Sequence, residues 1–233
     1  MLKVEQLRYG TDNFSYLLYG EKQAVAIDGG AWEKICTFLK GHNLELTILT
    51  NTHSHFDHTS GNENLLQSTK ARFLTPADFT DNSTLEVGGE KILVYRTPGH
   101  SNDSVCFHNG SILVSGDTLF NGTIGNCFTG DIKSFYLSVK RLMALPDATV
   151  IYAGHDYVRD SLVFAGRLEP DNKDIGKFRS AYDFEHVFST MADERRVNPY
   201  LRFNEEPIVK LLQKRGLPRE TEWERWQSLM SIE

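Results

Sequence analysis

Thr52-His53-Ser54-His55-Phe56-Asp57-His58 gathers three histidines and an aspartate within six positions. It follows the apolar run Leu44–Leu49, which reads as a buried strand. Side chains two apart in an extended segment point the same way. His53 and His55 can therefore reach one metal ion, while Asp57 and His58, past the bend, can reach a second. Imidazole and carboxylate donors without thiolate suit zinc, iron or manganese.

Three more ligand-type side chains stand at equivalent places. His100 follows the strand-like run Ile92–Tyr95 in Thr97-Pro98-Gly99-His100. Asp117 follows Ile112–Val114 in Ser115-Gly116-Asp117, and His155 follows Thr149–Tyr152 in Ala153-Gly154-His155. In each, an apolar run ends in a small residue that lets the backbone approach a crowded centre. A single histidine after a strand is ordinarily a surface or hydrogen-bonded residue, and Asp117 alone could form a turn. Five histidines sharing one pattern are better explained by a common site. His42, His108 and His186 lack such neighbours and are read as ordinary residues.

Outward from these runs, Tyr16–Tyr19 and Ala24–Ile27 read as strands joined by a turn. Ile35, Phe38 and Leu39 repeat at helical spacing, with Gly41 as the expected cap. Leu65 and Leu66 fit a short helix, Ser104–Phe107 a further strand, and Phe135, Val139, Leu142 and Met143 a helix ended by Pro146. Mixed strands and helices predict an α/β (α+β) fold. After Tyr157 no further strand is expected. Helices are predicted over Ser161–Leu168, from near Asp171, after Pro207 with Gly216 closing it, and after Thr221, where Glu224 completes a capping box. The expected division is residues 1–157 as a catalytic domain and 158–233 as a helical domain contributing to the substrate site.

The 233 residues suffice for a core without staples, and 40% hydrophobic and 24% charged residues are ordinary for a soluble protein. A net charge of -6 argues against nucleic acid as a partner. Cys36, Cys106 and Cys127 form no CxxC pair, which suits a reducing compartment; Cys127 reads as a free buried thiol. Met1–Gln6 has no apolar run and no stretch is long enough to span a bilayer, so neither a signal peptide nor a membrane partner is expected, and the expected location is cytoplasmic.

The order HxHxDH, TPGH, SGD, AGH resembles the metallo-β-lactamase superfamily, whose fold is an αββα sandwich. The resemblance implies one ion on His53, His55 and His100, another on Asp57, His58 and His155, and Asp117 bridging both. Gly154-His155-Asp156-Tyr157, Glu169-Pro170-Asp171-Asn172, Ser189-Thr190 and Asn198-Pro199-Tyr200-Leu201-Arg202 further resemble the signatures of glyoxalase II, the hydroxyacylglutathione hydrolases. Tyr157 and Arg202 match that family's substrate side. Asn126 and Phe128 stand where it usually has a Lys or Arg and a Tyr, and Asn204, Glu205 and Glu206 replace basic residues.

The resemblance implies a thioester hydrolase acting on S-lactoylglutathione or a related small acyl-thiol, with two divalent ions, zinc by default and iron or manganese as alternatives. Two metals about 3.5–4 Å apart can acidify a shared water, and the hydroxide would attack the thioester carbonyl. The leaving thiol, of pKa about 8.5, departs with little help from an acid. Asp57 is the candidate to orient the attacking group as well as bind metal. Asn126, Phe128, Tyr157 and Arg202 are the candidate substrate residues. The alternative is a persulfide dioxygenase of the same superfamily, in which one iron on His53, His100 and Asp117 would suffice; Ala192–Pro199 resembles that family too.

Overall fold

Strand β2 (Asn13–Tyr19) is buried along nearly its whole length, because both of its faces are covered. Tyr16 and Leu18 point to one side, into a cluster with Val94, Phe107 and Val114. Leu17 points to the other, against Ile35 and Leu39 of helix α1 (Trp32–His42). This alternation is the period-2 geometry of a strand between two apolar layers.

The computed structural model describes residues 2–232. One sheet runs β1-β2-β3-β4-β5, with β1 (Lys3–Tyr9), β3 (Gln23–Ile27), β4 (Glu45–Thr50) and β5 (Arg72–Leu74). The other runs β11-β10-β9-β8-β7-β6, with β6 (Thr84–Val87), β7 (Glu90–Arg96), β8 (Val105–Asn109), β9 (Ile112–Gly116), β10 (Val150–Ala153) and β11 (Ser189–Thr190). Strands β3 and β4 pair in parallel, and α1 makes the crossover between them. Strands β9 and β10 also pair in parallel, across helix α4 (Ile132–Leu142). Phe135, Val139 and Leu142 of α4 cover the outer face of the second sheet at Cys106, Leu113 and Ile151. Helix, sheet, sheet and helix thus stack as the expected αββα sandwich.

Short helices α2 (Phe56–Thr59) and α3 (Asn62–Ser68) follow β4. Beyond β10 come α5 (Val158–Leu168), α6 (Lys173–Ala181), α7 (Met191–Val197), α8 (Glu206–Lys214) and α9 (Glu222–Met230). Trp226 and Leu229 of α9, Met191 of α7 and Leu212 of α8 join the α4 cluster. Among the described residues no helix is long and apolar enough to cross a membrane.

Two local expectations are corrected. Helix α1 runs past Gly41 to His42, and Asn43, at φ 52°, ψ 46°, supplies the left-handed cap. Strand content does not end at Tyr157: Ser189 and Thr190 pair antiparallel with β10, a two-residue extension too short to leave a periodic signal.

Candidate metal centre

Every candidate ligand leaves a strand end on the same edge of the sandwich. His53, His55, Asp57 and His58 follow β4, His100 lies between β7 and β8, Asp117 follows β9 and His155 follows β10. Their donor atoms form three overlapping groups, His53–His55–His100, His53–His58–Asp117 and Asp57–His58–His155, each within 4.8 Å. The Asp117 carboxylate stands between the two histidine sets. Its Oδ2 is 3.5 Å from His100 Nε2 and 3.4 Å from His155 Nε2, and its Oδ1 is 3.4 Å from His58 Nε2. Two glycines make room for this. Gly116 sits at φ +50° against Thr52, and a Cβ at Gly154 would collide with Asp117 Oδ1.

A network behind the ligands sets which nitrogen faces the centre. Asp28, fully buried after β3, accepts from Thr52 N (2.7 Å), Thr52 Oγ1 (2.9 Å) and His58 Nδ1 (3.0 Å). Thr52 Oγ1 in turn accepts from His53 Nδ1 at 3.1 Å. His155 Nδ1 donates to Asp12 Oδ1 at 2.9 Å, and His100 Nδ1 to the Asn126 carbonyl at 3.0 Å. Each of these rings spends its Nδ1 proton outward and turns an Nε2 lone pair inward. His55 completes the set through Nδ1, 2.9 Å from His53 Nε2 and 3.1 Å from His100 Nε2.

These residues fit divalent metal ions. His58 Nε2 and His155 Nε2 face each other at 3.2 Å, and each lies 3.4 Å from an Asp117 oxygen, so donor atoms from three residues converge on one small space. Asp117 Oδ1 is buried with no hydrogen-bond partner. Burial, then the neighbouring His58, pushes the His53 imidazole down to about 3, so it is a neutral donor at pH 7. At His58 burial opposes charge, yet Asp28 and Asp117 outweigh it, so this pocket of carboxylates favours a cation. Nitrogen and oxygen donors in such a set suit zinc, iron or manganese.

Three of the four sequence-predicted substrate residues surround this centre. The Tyr157 ring stacks on His155 with centroids 5.0 Å apart and planes 5° apart. Phe128, 67% exposed, meets the His100 ring edge-on at 5.1 Å. Asn126 holds His100 through its backbone and exposes its side chain. Arg202 is not brought to the cluster. Its guanidinium is taken up by Glu169 (Nε to Oε2 2.7 Å, Nη2 to Oε1 2.8 Å) and by the Arg195 carbonyl. Asp57 keeps a half-exposed carboxylate that accepts from Asn13 Nδ2 at 3.0 Å and lies 3.2 Å from His155 Nε2. Cys127 is half-buried, with Sγ 3.5 Å from Thr129 Oγ1. His42, His108 and His186 pack against Phe38, Tyr95 and Tyr152 respectively, away from the cluster.

Sequence reasoning missed Asp28, Thr52, Asp12 and Asn13. Asp28 carried a partial signal, since in Ile27-Asp28-Gly29-Gly30 a carboxylate follows the apolar run Ala24–Ile27 directly, with the glycines after it rather than before. Asp12 carried none, because its partner is His155, 143 residues away.

The family model of the metallo-beta-lactamase superfamily matches residues 8–78 and 72–155, and that of the hydroxyacylglutathione hydrolase C-terminus matches residues 156–230. The hydroxyacylglutathione hydrolase of Pseudomonas savastanoi pv. phaseolicola is 33% identical, over 95% of this chain and 94% of that protein. The one from Chromohalobacter salexigens is 31% identical, over 93% and 92%. Among solved structures, ETHE1 from Myxococcus xanthus has a TM-score of 0.72 at 24% identity, covering 99% of this chain and 90% of that one, and shares the fold. With its αββα sandwich, its histidine–aspartate cluster at the strand ends and both family models matched in order, the chain belongs to the metallo-β-lactamase superfamily and carries the hydroxyacylglutathione hydrolase C-terminal region.

Proposed function

We propose that this protein is a dinuclear metal-dependent thioester hydrolase of the glyoxalase II type, cleaving S-lactoylglutathione or a related acyl-thiol to an acid and a free thiol. The observation that carries this reading is the doubled ligand set. His53, His55 and His100 would hold one ion, Asp57, His58 and His155 the other, and Asp117 would touch both. A mononuclear iron dioxygenase would need only His53, His100 and Asp117, and gives no reason for Asp12 and Asp28 to orient His155 and His58. The relatives that match over nearly the whole chain are named hydroxyacylglutathione hydrolases.

Bound there, two zinc ions would supply Lewis acidity at the scissile carbonyl and acidify water at neutral pH. The protein supplies orientation. Asp57, fixed by Asn13 and with its backbone carbonyl accepting from Tyr9 Oη at 2.7 Å, presents a carboxylate oxygen that can hold the attacking water by accepting its proton. Tyr157 and Phe128 wall the approach with aromatic surface and limit water around the reacting carbon. Burial first, then Asp12, raises the Tyr157 hydroxyl to about 12, so it stays a neutral donor at pH 7. A thiolate leaves without a proton donor, so the site needs no general acid. Residues 1–157 form the proposed catalytic unit, and 158–233 the proposed helical unit that completes the substrate site.

The test is elemental analysis of protein purified without added metal, combined with hydrolysis of S-lactoylglutathione and oxygen uptake on glutathione persulfide. Two ions per chain and lactate release that stops with chelator and returns with zinc are expected. One iron per chain with oxygen consumption would overturn the reading.

A further inference from the structure

Beside the metal cluster lies a groove of about 360 Å³ whose walls are partly the cluster's own supports. Asn126, whose carbonyl holds His100, lines it, as does Tyr157, whose ring lies flat on His155. Phe120 lines it too and meets the His155 ring at 6.0 Å and the Tyr157 ring at 5.0 Å. Gly125 completes this end; a side chain there would collide with the Asp117 carbonyl oxygen, so the groove reaches the backbone of a candidate ligand. A substrate whose reacting carbon sits at the cluster has this groove for the rest of its length.

The remaining walls come from helices α5 and α9 and from loops, and are largely apolar, including Phe164, Ile124, Tyr200 and Met230. Among the residues lining it there is no lysine or arginine, and the charged group is the exposed Asp160 of α5. Arg202, the cation that sequence matching offered, is spent on Glu169. A glutathione thioester carries two carboxylates and one ammonium, a net negative charge at neutral pH. Placing a carboxylate against aromatic walls without a cation costs its hydration, and Asp160 adds repulsion. A neutral arm loses neither and gains apolar contact.

We propose that this groove takes the thiol arm of the substrate and selects an arm without carboxylates, so that a neutral acyl-thiol is a better substrate than the glutathione thioester. The inference rests on the thioesterase reading and narrows it, with Asp160 as a specificity-determining residue.

The test compares S-lactoylglutathione with S-lactoyl-N-acetylcysteamine, which share acyl group and thioester, on the zinc-loaded protein. The neutral compound should have a kcat/KM at least about tenfold higher. Asp160→Lys should raise the ratio of glutathione to neutral kcat/KM about fivefold, and Asp160→Asn should move it the same way by less. Salt supplies a readout that a merely structural role would not move. Raising it should increase the glutathione rate in the native protein by screening repulsion, and decrease it in Asp160→Lys by screening attraction. Equal or better turnover of the glutathione thioester, with the same salt response in both proteins, overturns the groove assignment and leaves the thioesterase reading standing. Hydrolysis of neither thioester overturns both.

Discussion

A histidine offers a lone pair from one nitrogen only when something takes the proton of the other. Here His58 gives its proton to Asp28 and His155 gives its own to Asp12. Losing such a partner typically costs a metal site roughly 10- to 100-fold in affinity. Asp12→Asn should therefore weaken binding of the second zinc by that factor in a titration of metal-free protein, with the first ion little affected. Asp12 is the better probe because its side chain is one-third exposed (33%), whereas Asp28 is fully buried and also anchors Thr52. Unchanged affinity for both ions would show that the ring is held by its stacking on Tyr157 instead. His58→Ala removes a proposed ligand outright and should leave one ion per chain by elemental analysis, with most lactate release lost. The candidate ligands were legible in the sequence because each stretch that carries them follows an apolar run, and a run can be read locally. Their orienters were not, since a carboxylate in the Gly10–Asn13 turn gives no sign of which distant ring it meets.

Elements were legible in proportion to how much of their periodic signal lies within themselves. Strands β2, β3, β4, β7, β8, β9 and β10 were found because they are buried between layers and read as apolar runs. Strand β1 was missed: it is an edge strand of sequence KVEQLRY, mostly half-buried, and its charged residues mask the alternation. Strand β11 is defined only by its partner β10. Helix starts fared well where capping chemistry is local. Thr221 accepts from Glu224 N at 3.1 Å and Glu224 reaches back to Thr221 N at 3.0 Å, as the sequence pattern required. Thr190 makes the same reciprocal cap with Asp193 at the start of α7, a helix that the sequence reading did not expect. Removing such a hydroxyl costs typically about 1 kcal/mol. Thr190→Ala and Thr221→Ala should each lower urea-unfolding stability by about that amount with an unchanged denaturant slope. A loss below about 0.3 kcal/mol in either would mean that packing, not capping, holds that helix start.

At the scale of the whole molecule, the apolar contact between the helical segment and the sandwich is joined by a buried carboxylate. Glu194 of α7 has no exposed surface; Gly122 N donates to its two oxygens at 3.0 and 2.9 Å, and Asn198 Nδ2 donates to Oε2 at 2.8 Å. Asn198 also donates to the Thr123 carbonyl, and Asn121 to Ser189 Oγ, so the C-terminal helices hold the loop that leads to Gly125, Asn126 and Phe128. Burial lifts the Glu194 carboxyl to about 7, against the bonds from Ser189, Asn198 and Gly122 that favour the charge. An acid whose folded pKa lies above its unfolded value of 4.5 binds more protons folded than unfolded between those limits. Its contribution to stability is thus fully present below pH 4.5 and lost as pH rises through 7. Acidic residues with lowered pKa, Asp81 and Glu222 among them, act in the opposite direction, so the Glu194 effect must be isolated as a difference. Glu194→Gln keeps one carbonyl acceptor and cannot ionise. Subtracting its stability from that of the native protein, at matched pH and metal content, should give a difference that falls by about 2–4 kcal/mol between pH 4.5 and 8. A pH-independent difference would mean that Glu194 titrates alike in the folded and unfolded chain, and that its bonds to Gly122 and Asn198 already offset the cost of burying its charge.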